Sequence, residues 1–81
     1  MDITEQEARK WANERRENTI REIGYLIDDL EKGKQSLLRG DYYTIGGNPE
    51  IRLRQIMEEQ YHAEALNRLA KHIAINEKAG S

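Results

Sequence analysis

The chain of 81 residues contains no cysteine, no phenylalanine and no valine, and it has a single proline. Without cysteine it has no disulfide, no thiolate nucleophile and no cysteine ligand for zinc. No apolar run approaches the length of a membrane span, and the N-terminus lacks the basic-then-apolar pattern of a secretory signal. We therefore expect a cytoplasmic protein that does not enter a membrane.

Neither sign of charge dominates, because 13 basic side chains stand against 15 acidic ones. Proteins that coat DNA or RNA normally have a clear basic excess, so general nucleic-acid coating is not expected. The sequence also lacks a nucleophile–base pairing, a phosphate-binding loop and a glycine-rich fingerprint. We predict a protein that is not an enzyme and needs no cofactor.

The first half of the chain predicts a long helix over about residues 4–38. Thr4 and Glu7 have the spacing of a capping box, and no proline follows before Leu38. Apolar residues then recur in steps of three and four, which is the period of a helix. The stretch 13–18 has no apolar member, so we expect a bend or break there, with a short first helix as an N-terminal helical extension and a stronger second one. A single continuous helix is the alternative.

A loop over 39–48 and a second helix over about 49–76 complete the prediction. Asn48 is a favourable N-cap, and Pro49 suits the first helical position. The expected fold is therefore all-α, with one helical domain over 1–81 built as a helical hairpin with an N-terminal helical extension.

Large apolar side chains are scarce, so a lone polar chain of this size should be marginally stable. We expect a homo-oligomer that completes the core. The residues predicted to be buried between the paired helices are Ile20, Ile23, Ile27, Leu30, Ile56, Ala63, Leu66, Ala70 and Ile73.

Aromatic and basic residues cluster toward the hairpin loop and predict a site for an anionic small ligand. Aromatic rings stack on bases, and arginine binds phosphate through two parallel donors. The candidate ligand-binding residues are Tyr25, Lys34, Arg39, Tyr42, Tyr43 and Arg52. The alternative is that the charged side chains only solvate the helices while the tyrosines close the loop over the core.

Two segments are similar to a known class of phage protein. The stretch 18–24, with the apolar residues that follow it to Leu30, resembles the central helix of phage proteins that sequester cyclic-oligonucleotide defence signals. The Ala/Leu-rich segment 63–70 resembles their later helix. This resemblance implies a protein that binds a nucleotide or cyclic-oligonucleotide signal, and it assigns no individual contact residue.

Glu59 and His62 stand three apart on the second helix, a spacing at which both can ligate one metal ion. The segment 58–66 resembles the second-helix motif of the two-helix encapsulated ferritins, which build an iron site by dimerising. The first helix departs from that pattern, because Asp28 and Glu31 are followed by two lysines. The alternative is a solvated face of helical ion pairs.

Trp11 lies among alanines on an otherwise charged helix, and it is a candidate anchor for a protein partner. It can equally pack on its own hairpin or on a second copy. Together these features predict a small non-enzymatic helical protein that acts by occupying a protein partner or a ligand. The alternatives are the phage-type sequestering protein and the ferritin-like metal-binding protein.

Overall fold

A computed structural model describes residues 2–79 and confirms the all-α hairpin. Helix α1 spans Glu5–Leu38 and helix α2 spans Pro49–Ala79. The two helices pack against each other, and the connection between them contains no strand.

The helix ends follow the predicted signals. The Thr4 hydroxyl oxygen accepts from the Glu7 N–H at 3.1 Å, and the hydroxyl itself donates to the Glu7 carboxylate at 3.1 Å. The Asn48 side-chain oxygen accepts from the Glu50 N–H at 2.9 Å, directly before Pro49. Gly40 follows α1 with a φ of +88°, a backbone conformation that glycine adopts without steric cost.

The expectation of a break at 13–18 is wrong, because helix α1 continues through this polar stretch. This stretch contributes to packing through charge instead of apolar surface, because Arg15 forms an ion pair with Glu59 of α2 at 2.9 Å. The first turns of α1 also lie beside α2, with Ala8 and Ala12 both buried.

The helices meet along a seam of small side chains. The buried residues on α1 are Ala8, Ala12, Thr19 and Gly33, and those on α2 are Ile56 and Ala70. On both helices the seam repeats every seven residues, which is the repeat of coiled-coil packing. Within residues 2–79 no large side chain is fully buried.

The predicted core is correct for α2 and wrong for α1. Ala63, Leu66 and Ile73 are half-buried, in keeping with their predicted place beside the buried residues of α2. The four predicted residues of α1 are instead 40–62% exposed: Ile20, Ile23, Ile27 and Leu30. They form a stripe next to the seam, because small side chains let the helices approach closely where branched ones would hold them apart.

The resulting molecule is long and thin. Its principal-axis extents are 67 × 17 × 15 Å, and its radius of gyration is 18.7 Å. A compact domain of this length has a radius of gyration of about 12 Å. Two helices side by side therefore leave most of each helix surface in contact with solvent.

Replacing Ala70 by leucine should destabilise the hairpin, because the Ala70 side chain is fully buried in the seam. Overpacking of a tight interface costs about 1–3 kcal/mol. Ala65→Leu is the matched control, since Ala65 is exposed on the same helix. Urea unfolding of both variants measures the difference, and equal stabilities would show that the seam is not tightly packed.

Candidate functional site

The loop is fastened to α1 by one aromatic contact. The ring of Tyr43 lies over Gly33, so close that a Cβ atom on Gly33 would be 3.1 Å from Tyr43 Cδ1. A glycine in a helix interior is unfavourable by about 1 kcal/mol relative to alanine. Here its missing side chain makes room for the ring, and one of the loop tyrosines is folded onto the helices as the loop composition suggested.

Tyr43 borders a groove on one side of α1, and two basic side chains line this groove. Lys32 and Arg39 line this groove together with Glu31, Gln35 and Ser36, and it encloses about 420 Å³. Arg39 donates to the Ser36 hydroxyl at 3.3 Å and lies 4.0 Å from the Asp41 carboxylate. The Arg39 side chain is 65% exposed, so it can turn toward an anion in the groove.

The other side of α1 beside Tyr43 is apolar. Lys34 lines a second groove there with Leu30, Leu37 and Ile45. The structure therefore places Lys34 and Arg39 on different sides of the Tyr43 ring, and each of them shares a groove with Tyr43 but not with the other.

Arg52 has a structural environment that the sequence prediction did not anticipate. Its guanidinium donates to the Asp29 carboxylate at 2.6 Å and to the Gly46 carbonyl oxygen at 3.1 Å. It therefore ties the start of α2 to both α1 and the loop. Arg52 is about four-fifths buried in this position.

The remaining two tyrosines of the candidate site are not gathered around Tyr43. Tyr42 is 94% exposed. Tyr25 lies 14 residues before Arg39, or about 21 Å along the helix axis. Of the six candidate residues, the structure thus brings Tyr43 together with Arg39 on one side and with Lys34 on the other.

Glu59 and His62 lie near the middle of the hairpin in a polar groove with Asn18 and Glu22. One Glu59 oxygen binds Arg15 at 2.9 Å, while the buried Oε2 has no hydrogen-bond partner among the described residues. Within residues 2–79, no three histidine, aspartate or glutamate side chains are grouped closely enough to hold a metal ion.

Trp11 is half-buried on α1, one residue before the buried Ala12. Part of its surface is covered, and part remains accessible to another molecule. The structure is compatible with both interpretations of Trp11 that the sequence left open.

Comparison with known proteins identifies no relative. No protein-family model matches this chain, and neither curated proteins nor solved structures include a significant match. Neither helix, within the part of the chain that the structure describes, is both long and apolar enough to cross a membrane.

Two residues that matter for this geometry were missed from the sequence, namely Arg15 and Asp29. Both lie a multiple of seven residues after Ala8, which places them on the seam of α1. That spacing was a detectable signal. We did not use this spacing to place Arg15 and Asp29 on the seam, because charged residues are rarely expected at positions that face another helix.

Arg52→Ala should lower the free energy of unfolding by about 1–2 kcal/mol, because it removes two charge-assisted bonds and leaves Asp29 unpaired. Arg54→Ala is the matched control, since it removes the same charge from an exposed site on the same helix. Thermal unfolding followed by circular dichroism compares them. Equal losses of stability in the two variants would contradict a clamping role for Arg52.

Proposed function

We propose that this chain is a small non-enzymatic interaction protein that works as a homo-oligomer and acts by occupying a partner. One observation carries the proposal. Many large apolar side chains are exposed on both helices, whereas the residues buried between the helices within residues 2–79 are small, with the exception of Ile56.

Exposed apolar side chains in this number favour an association function. Single exposed leucines or isoleucines are ordinary on protein surfaces, but contiguous apolar patches mark interaction sites. On α1 they recur along one stripe from Ile20 to Leu37, and Leu37 is 59% exposed. Such a stripe gains free energy when another molecule removes it from water.

The groove beside Tyr43 supports a second candidate function, the binding of an anionic small ligand of the nucleotide class. Lys32 and Arg39 supply two positive charges against the one negative charge of Glu31, and the Tyr43 ring supplies an aromatic surface in the same groove. This combination suits a phosphate attached to a base or another flat group. We propose that Arg52 stabilises the fold and does not contact this ligand, because its guanidinium already binds Asp29.

The thermal stability of an obligate oligomer depends on protein concentration, because association is part of folding. We therefore expect the Tm of this protein to rise measurably for each tenfold increase in concentration. Native mass spectrometry of the same samples should give a single defined oligomer. A folded monomer whose Tm is independent of concentration would refute the homo-oligomer proposal.

For the second candidate, the purified protein should carry a mass excess in its native spectrum that disappears under denaturing conditions, with the ultraviolet absorbance of a nucleobase. Arg39→Ala should lose this adduct, because it removes a cation from the groove. Lys10→Ala is the control, since Lys10 is exposed near the far end of α1.

Three other results would be informative. Adduct retained by Arg39→Ala would place the ligand elsewhere. A protein with no adduct and no affinity for added nucleotides would leave the protein-interaction function alone. Increments of iron mass that Glu59→Ala abolishes would instead favour the ferritin-like alternative.

A further inference from the structure

We propose that a second copy of this chain covers one particular surface of the hairpin, and that the two copies form a four-helix bundle. The inference rests on the homo-oligomer proposal above and deepens it by naming the surface. We call this surface the apolar face, and its residues are Ile20, Ile23, Ile27 and Leu30 of α1 with Leu53 and Met57 of α2.

These residues lie on the same side of the molecule, as the neighbouring groove shows. Ile20 of α1 lines a groove of about 340 Å³ with Gln60 and Glu64 of α2. Leu53 and Met57 precede Gln60 and Glu64 by seven residues, so they project from the same side of α2.

On helix α1, Ile27 comes seven residues after Ile20, so the two side chains project from the same side of the helix. Ile27 therefore lies on the same flat side of the hairpin as Leu53 and Met57, nearer to the loop. Each of the six side chains is between 40% and 62% exposed.

The accessible surface of the chain is large enough to provide a dimer interface. The chain has 6629 Å² of accessible surface. A compact monomer of 9.5 kDa has about 5,000 Å² by the scaling of surface with mass. This excess of about 1,600 Å² belongs to the whole elongated molecule, and it is larger than the ~800 Å² per partner that a standard interface buries. The hairpin therefore has enough surface for a dimer interface.

The distribution of charge favours a second copy over a strongly charged partner. On the same side of the hairpin as the apolar face, but farther from the loop, Arg16 and Glu64 line one groove. A two-fold axis places a surface against its own copy, so a surface of one sign would repel itself. This mixed surface can pair unlike charges across the axis.

The poor core of the lone hairpin points to the same occupant. Among the described residues, Ile56 is the only buried hydrophobic side chain larger than alanine. Covering the apolar face would therefore add hydrophobic burial that the lone hairpin lacks. A second copy is always present at the concentration of the chain itself, whereas any other partner depends on separate supply.

The test introduces a charge on the apolar face and on a matched site outside it. Ile27→Lys should dissociate the dimer, because Ile27 is central in the proposed interface. Ile75→Lys is the control, since Ile27 and Ile75 are 54% and 64% exposed on their helices. Two residues beyond the half-buried Ile73, Ile75 points away from the seam. Sedimentation equilibrium of both variants and the unmodified protein measures the association, and we expect at least a hundredfold loss for Ile27→Lys alone.

The Ile27→Lys variant can fail to fold, since folding and association are coupled. A photo-crosslinking residue, benzoylphenylalanine, is therefore placed at position 27 or at position 75 of the otherwise intact chain. It reacts with whatever lies against it and adds no charge. We expect a covalent dimer from position 27 and none from position 75.

The outcomes separate this surface assignment from the broader proposal. A dimer that persists in Ile27→Lys, or that crosslinks from position 75 and not from position 27, overturns the apolar-face assignment and leaves the homo-oligomer intact. An unmodified protein that is a folded monomer overturns both, and it would assign the face to a partner other than this chain.

Discussion

The packing of α1 against α2 depends on side chains that are small enough for the helices to approach closely. Ala12, Gly33 and Ala70 are buried where the helices meet, and within residues 2–79 Ile56 is the one large hydrophobic residue buried with them. Small side chains remove little apolar area from water, so this packing alone yields a modest free energy of folding. Because small residues occupy the seam, the isoleucines and leucines of α1 remain exposed at the surface of the hairpin.

Charged residues on the seam are tolerable because the molecule is only two helices thick. The pairs Arg15–Glu59 and Arg52–Asp29 join the helices, yet the four side chains keep between 21% and 46% of their surface exposed. Partial hydration lowers the desolvation penalty that a fully buried ion pair would face. The pairs and the loop contact of Tyr43 on Gly33 therefore supplement a seam that contains little hydrophobic surface.

Local signals in the sequence predicted the helix ends and the hairpin. Thr4 and the Asn48–Pro49 pair mark positions where the backbone needs a cap, and those requirements depend on near neighbours alone. Which stripe of α1 turns inward was not predictable in the same way. The Ile20 stripe and the Ala12 stripe are adjacent on one helix, and hydrophobicity favours the former, whereas the close approach of α2 selects the latter.

The candidate site shows the same limit. The grouping of Arg39 with Tyr43 at the loop end follows from their closeness in the chain. The assignment of Arg52 to a ligand failed to anticipate Asp29, which lies 23 residues away and meets Arg52 only because the hairpin folds in this register. Contacts between helices depend on the alignment of two elements along each other, and the periodicity of a single sequence does not give that alignment.

The two interhelical ion pairs also bear on how the hairpin avoids misalignment. A seam of small residues that repeats every seven positions would by itself tolerate sliding of one helix along the other by a heptad. Such a slip in one direction would move Arg15 from Glu59 toward Arg52, and in the other it would move Asp29 toward Glu59. Either displacement sets like charges against each other. The charged seam residues thus disfavour displacements that the repeat of small residues alone would penalise less.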